Sequence, residues 1–293
     1  MIWLTFLPAV MALVVAVALG VVPLPLHPAW SARLLLTAAV SAMAATIGTL
    51  VFISINYAAT LFPHAAERLP EWALFGDDQP VHAVLGVPVI VLTCLSALTV
   101  AKLSARWAAE VRHAQQTSQG VVESDVPLAV AVPGRDGGVL VSRGLLRRLD
   151  RSQLRVVFEH EASHLRHRHY RYLALGALAA GTLPPLRRLN ARLRFSLERW
   201  ADEDAAEAVG DRKLVARTIA QVALARSSAD SATPPLPTFA DSGVVQRVQA
   251  LLTAAPDKNS VAGPVILMGA GLGAGLLASA AWQLDHALGL PIL

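Results

Sequence analysis

The chain has 293 residues, 54% of them hydrophobic and only 16% charged, with a mean hydropathy of +0.50. A soluble domain carries roughly 25% charged residues; here the deficit is gathered into a few long apolar runs, which excludes an ordinary soluble globule and points to an integral membrane protein. The net charge of +4 and the pI of about 9.7 come mostly from residues beside those runs, so no direct nucleic-acid binding is expected.

Residues 2–22 hold no charge and lack the basic start and small-residue cleavage site of a secretory signal, so they read as a retained spanning helix. Residues 34–62 are also uncharged and exceed the roughly 20 residues a span needs, which predicts tilt or an interfacial extension. The next loop carries Glu67, Glu71, Asp77 and Asp78 against a lone Arg68. Residues 81–101 read as a third span, followed at once by Lys102, Arg106 and Arg112. Arg33 lies between the first two spans. The positive-inside bias then places the N-terminus outside and residues 102–260 in the cytosol. Cys94, the single cysteine, lies inside the third run; it can form neither an intramolecular disulfide nor a cysteine zinc cluster, and reads as a plain buried thiol.

Residues 101–122 continue the third helix beyond the membrane. Two β-like runs, VPLAVAV at 126–132 and GVLVS at 138–142, flank the turn signal PGRDG. Asp150 and Gln153 have the spacing of a capping box, and Leu154, Val157, Phe158, Ala162 and Leu165 recur at helical intervals. The motif HEASH at 160–164 therefore lies inside a helix. Residues four apart share a helical face, so His160 and His164 can address one ion while Glu161 reaches a water bound to it. That is the H-E-x-x-H arrangement of zinc peptidases, set against a plainer reading in which His167, Arg168, His169 and Arg171 extend a basic, solvated face.

Catalytic zinc takes three protein ligands and an open position. The glycine and third histidine of the metzincin pattern are replaced here by His167 and Tyr170. Residues 193–210 read as a further helix stopped by Gly210, with Glu198, Asp202, Ala205 and Val209 on one face. Glu198 would complete a His2Glu site, and Asp202, one turn on, could hold the outer nitrogen of a ligand histidine. His167 and Glu203 remain alternative ligands, and the acids Glu198, Asp202, Glu203, Asp204 and Glu207 could instead form a solvated surface. Candidates for a second oxyanion donor are Tyr170, Arg194 and Arg199.

Residues 172–186 are apolar but short, with Gly176, Gly181, Pro184 and Pro185, and read as interfacial, re-entrant or buried more readily than spanning. SSADSATPPLP at 227–237 reads as a linker. Residues 261–284, rich in glycine, read as a last span whose small residues admit close helix packing.

At HEASH, the preceding VPGRDGGVLVSRGLLRRLD, the later ERWAD and, more loosely, FADSGVVQRVQALL, the chain resembles the BlaR/MecR-type membrane zinc peptidases of family M56, which are in turn similar to the HtpX-type peptidases of family M48. The resemblance covers roughly half the chain. It implies a predominantly α-helical multi-pass membrane protein with a cytosolic gluzincin-like zinc peptidase domain containing a small β-hairpin or sheet. It implies Zn²⁺ held by His160, His164 and Glu198, with Glu161 as catalytic base and Asp202 behind the ligands. On that basis residues 1–101 form three transmembrane helices, 102–260 the peptidase domain and 261–284 a C-terminal span. The sensor domain of the β-lactam transducers is not expected, because the chain stops just past that span. The implied partners are a lipid bilayer and a protein or peptide substrate, either a transcriptional repressor or membrane proteins under quality control. A zinc-holding scaffold without turnover is the competing class, which the intact Glu161 disfavours; a transporter is disfavoured because no charge interrupts the four best spans.

Overall fold

The computed structural model describes residues 5–22, 24–66, 81–117, 121–134, 138–229, 239–258, 263–266 and 268–269. The uncharged N-terminal runs form α1 (Leu7–Val21) and α2 (Pro28–Leu61), each with proline in its first turn, where the missing N–H costs nothing. A four-residue turn, α3 (Pro63–Ala66), follows, and then α4 (Ala83–Thr117). Two helices, α2 and residues 83–113 of α4, are long and apolar enough to cross a membrane. Their outer faces have no protein cover: Val84, Val87, Val91, Leu92, Leu95 and Leu98 of α4 are all exposed.

One expectation needs correction here, and two concern segments that reach beyond the described residues. Helix α1 covers Leu7–Val21 of the span expected at 2–22, whose residues 2–4 lie outside the described residues. Cys94 is exposed on α4 rather than buried. Of the span expected at 261–284, the described residues are 263–266 and 268–269, all of them helical.

Beyond α4 the chain forms a three-stranded sheet from β1 (Val121–Val122), β2 (Ala129–Val132) and β3 (Gly138–Ser142), in the order β1-β3-β2. The antiparallel β2–β3 pair is the expected hairpin, running from Ala129 opposite Val141 to Val132 opposite Gly138. Strand β1, parallel to β3, is an addition; two residues are too few to leave a sequence pattern. The fully buried Ser142 knits the corner: its hydroxyl donates to Val126 O, accepts from Leu128 N, and caps α5 (Arg143–Arg148) by accepting from Leu145 N.

The capping box of Asp150 and Gln153 is present and starts α6 (Arg151–Arg166). Arg168, at φ 55, turns the chain sharply into α7 (His169–Thr182), and a 3-10 turn (Pro184–Leu186) leads into α8 (Arg187–Val209). Gly210, at φ 78, ends α8 in the left-handed conformation that glycine adopts without strain. Helices α9 (Arg212–Ala229) and α10 (Phe239–Leu252) complete the described fold.

The core explains why α8 is so well seated. Ala16 of α1 and Ala29, Ala32, Leu35, Ala39 and Ala42 of α2 form an alanine-rich bed for Leu186 of the 3-10 turn and Leu189, Leu193, Leu197 and Trp200 of α8. At Gly20 a Cβ would come 2.9 Å from the Leu189 backbone nitrogen, so only glycine admits this approach. The apolar stretch 172–186 is resolved as helix α7 plus the 3-10 turn; Gly176, Ala179 and Ala180 are buried, and α7 packs on α2, α4 and α8. A second cluster, Val156, Ala205, Ala206, Val215, Ala216 and Leu251, joins α6, α8, α9 and α10. The site lies between these two cores.

Candidate metal centre

Helix α6 brings His160 and His164 together, one turn apart, with their Nε2 atoms 3.2 Å from each other. Its partner is α8, fastened by Ser163 Oγ, which is buried and donates to Asp204 Oδ2 at 2.7 Å. This packing sets Glu198 opposite the histidines: Oε2 lies 3.6 Å from His160 Nε2 and Oε1 3.7 Å from His164 Nε2. One ligand atom from each of the three residues falls within 4.8 Å of the others. Tetrahedral zinc with bonds of about 2.0–2.1 Å requires ligand atoms about 3.3 Å apart, so the two imidazoles and the carboxylate fit such an ion.

The outer atoms of the ligands are also occupied. His160 Nδ1 lies 3.0 Å from Asp202 Oδ1, in the position anticipated for Asp202. Asp202 is completely buried and takes two 2.7 Å bonds from Arg247 of α10: Nε to Oδ2 and Nη2 to Oδ1. The third guanidinium nitrogen, Nη1, stands 3.0 Å from Glu198 Oε2. On the other side, His164 Nδ1 lies 2.9 Å from Nδ1 of His169, which is fully buried beneath Trp200 and Tyr172.

Sequence reasoning missed both Arg247 and His169. Arg247 lies inside FADSGVVQRVQALL, but no spacing rule connects it to a site on helices 40 residues and more upstream. The plainer reading of the motif put His169 on a basic, solvated face, and its complete burial overturns that reading. His167 is equally far from being a ligand, since its Nε2 pairs with Asp204 Oδ2 at 2.9 Å. Glu203 is buried and held by Arg199 at 2.8 Å and by Arg212. The proposed acidic surface therefore fails for Asp202 and Glu203; Glu207, exposed and paired with Lys258, does fit it.

The charges follow from this geometry. Burial by itself would lower the His160 pKa, but the Asp202 and Glu198 carboxylates outweigh it and raise the value to about 10. For His164, burial and the positive His160 beside it lower the value to about 4. Burial and the neighbouring His164 take His169 to about 3. The carboxyl groups of Glu198 and Asp202 sit below the ordinary range despite burial, chiefly through His160 for Glu198 and Arg247 for Asp202.

A cleft of about 360 Å³ opens over the three ligand residues, with Glu161 and Arg247 in its lining. One wall is strand β2 at Ala129, Val130 and Ala131; the rest is largely apolar, including Leu173, Ile219 and Val222. Glu161 Oε2 accepts the Ala131 N–H at 2.9 Å. In the antiparallel register Ser142 N bonds Leu128 O, so alternation turns the peptide groups of Ala129 and Ala131 away from β3, toward the cleft. Of the three oxyanion candidates, Tyr170 lines the cleft; Arg199 is committed to Glu203, and Arg194 is exposed without a place in the lining.

Residues 98–184 match Peptidase family M48, whose members are zinc-dependent. The matched stretch contains HEASH, Ala131 and His169 and ends before Glu198. It supports a metallopeptidase function, and it falls on the M48 side of the two resemblances rather than on the BlaR/MecR side. No curated protein and no solved structure matches the chain.

Proposed function

We propose that this chain, with its M48-like stretch at 98–184, is a membrane-embedded zinc endopeptidase whose peptidase portion, residues 102–260, faces the cytosol. The observation that carries the proposal is the gathering of His160, His164 and Glu198 within 4.8 Å, with Glu161 beside them on the cleft wall. His160, His164 and Glu198 would hold the ion, which when bound supplies a water of lowered pKa and a Lewis acid for the scissile carbonyl. Glu161 acts as general base, taking a proton from the attacking water and passing it to the leaving amine. While no substrate is bound its carboxylate is parked on the Ala131 amide, which fixes its rotamer toward the cleft. The outer edge of β2, at Ala129 and, once Glu161 leaves its amide, at Ala131, binds an extended substrate by strand addition, main chain to main chain. The apolar remainder of the cleft takes the side chains on either side of the cut bond. Asp202 and His169 orient the two ligand imidazoles, and Arg247 orients Asp202 and Glu198.

The exposed apolar faces of α2 and α4 support the membrane location, and the lysine and arginine residues that follow the apolar part of α4 support the cytosolic side. The substrate class is a cytosolic or membrane-associated protein. A transcriptional repressor follows from the BlaR/MecR resemblance; the M48 match favours quality control of membrane proteins. The deciding experiment compares protein N-termini across the proteome of cells carrying the native chain or Glu161→Gln. Termini that vanish in the variant name the substrate, and purified Glu161→Gln retains one zinc while losing cleavage. Full cleavage by zinc-loaded Glu161→Gln overturns the assignment.

A further inference from the structure

The turn between α7 and α8 has an unusual composition for its place. Its tip is Leu183, Pro184 and Pro185, the prolines exposed and the leucine half-buried. Arg187, Arg188 and Arg194 follow, all exposed. No ion pair engages these three arginines among the described residues, and the first turn of α8 holds no acid. An apolar tip beneath a ring of unpaired arginines is poorly suited to water and well suited to the boundary of an anionic bilayer.

The position of this tip in the fold agrees. Leu186 shares a core cluster with Ala16 of α1, and Leu189 abuts Gly20. Arg192 Nη1 donates to the carbonyl of Leu19 at 2.9 Å and to that of Val22, closing the C-terminal end of α1. Gly20 immediately precedes Val21, the last residue of α1, and the 3-10 turn also contacts α1, so the tip stands beside the end of that apolar helix. Interfacial elements bury their apolar side by about 5–10 Å. Further along α8, Arg33 is held between the rings of Trp30 and Trp200, 4.5 and 5.0 Å from their centroids. Tryptophan and arginine are the residues that gather at headgroup depth.

We propose that the α7–α8 turn is an interfacial wedge: Leu183, Pro184 and Pro185 enter the acyl boundary of the inner leaflet, and Arg187, Arg188 and Arg194 bind the phosphates of anionic phospholipids. The wedge rests on the membrane reading above. Because α8 also carries Glu198 and Asp202, the lipid surface holds the metal-bearing helix at a set depth, and the cleft opens at a fixed height above the leaflet.

Full-length protein in nanodiscs tests this with two fluorescent labels. On the native chain a probe on Cys94 reports α4; on a Cys94→Ser background, Pro185→Cys reports the turn. Quenching of the Cys94 probe by acyl-brominated lipid tests the membrane reading alone. The Pro185→Cys probe is expected to be quenched by brominated lipid and shielded from aqueous iodide. Quenching by iodide with the Cys94 probe still lipid-quenched overturns the wedge and leaves the span intact. In parallel, the ratio of phosphatidylglycerol to phosphatidylcholine retained by the purified protein is read by native mass spectrometry. Arg187→Gln, Arg188→Gln and Arg194→Gln together lower that ratio by at least five-fold, since each surface arginine contributes about five-fold to anionic-lipid affinity. An unchanged ratio in the folded triple variant overturns the phosphate contact.

Discussion

Arg247→Met removes the guanidinium that joins α10 to the site while keeping most of its apolar volume. Asp202 is 0% exposed and loses both of its 2.7 Å charge-assisted bonds, which leaves only His160 Nδ1 at 3.0 Å. Glu198 loses its 3.0 Å partner as well. Helix α10 stays docked, because Leu251 remains in the core and Arg212 still donates to the Ala250 and Leu251 carbonyls. The damage is therefore local: a buried carboxylate without its counter-charge, which costs about 3–5 kcal/mol. Adding Asp202→Asn removes the orphaned charge and returns part of the loss, with a coupling of about 1–3 kcal/mol. Denaturant unfolding of the metal-free protein in detergent, followed by tryptophan fluorescence, reads both numbers. The pH dependence has a definite sign. The folded-state pKa of Asp202 is depressed, so its contribution is present above the ordinary carboxyl value near 3.9 and is lost as pH falls through the lower folded value. Arg247→Met raises that folded value toward the unfolded one, so the loss of stability on acidification shrinks, and it reverses sign once the folded value passes the unfolded one. A cost below about 1 kcal/mol, or no recovery in the double variant, refutes the view that Arg247 neutralises a buried acid.

Zinc uptake should release about one proton per ion between pH 7 and 9, because His160 is charged up to about 10 in the metal-free site and must lose its proton to ligate. Calorimetry in buffers of different ionisation enthalpy measures this, and zero release would show that His160 is already neutral. His169→Ala takes away the contact that orients His164 and should weaken zinc binding by about 10–100-fold in chelator competition, with the overall helix content retained. Chelation of the ion should abolish cleavage, and re-addition of zinc restore it. Gly20→Leu should separate α1 from α8, where a Cβ already meets the Leu189 backbone at 2.9 Å, and lower the unfolding midpoint by overpacking worth about 1–3 kcal/mol.

HEASH, the capping box ahead of it and the helix bearing Glu198 were all legible in the chain, because each depends on residues within one or two helical turns. The hairpin was legible through its turn signal, and the apolar runs through their length. Asp202 could be placed behind His160 because it lies one turn from Glu198 on the same face. Other assignments failed for lack of such local constraint. Burial of a histidine depends on what covers it, and nothing near His169 in sequence announces Trp200 above it. Arg247 lies 45 residues from Asp202, across the linker expected at 227–237, and only the docking of α10 on α8 and α9 brings it to the carboxylates. Cys94 looked buried because it stands among apolar neighbours, yet on α4 those neighbours are themselves uncovered.

By itself, then, the sequence determined what short-range periodicity can encode: which segments are apolar enough to leave water, which are helical, and which two histidines share a face with a glutamate between them. Tertiary structure decided the rest: the meeting of α6 and α8 that turns two imidazoles and a remote carboxylate into one cluster, the guanidinium and further imidazole behind them, and the seating of the first turns of α8 against α1. The physical reason is that helix periodicity is written in residues three and four apart, whereas site geometry and charge compensation depend on distances between helices, set by an alanine bed on α2 and a glycine on α1 that no local pattern connects to the two histidines.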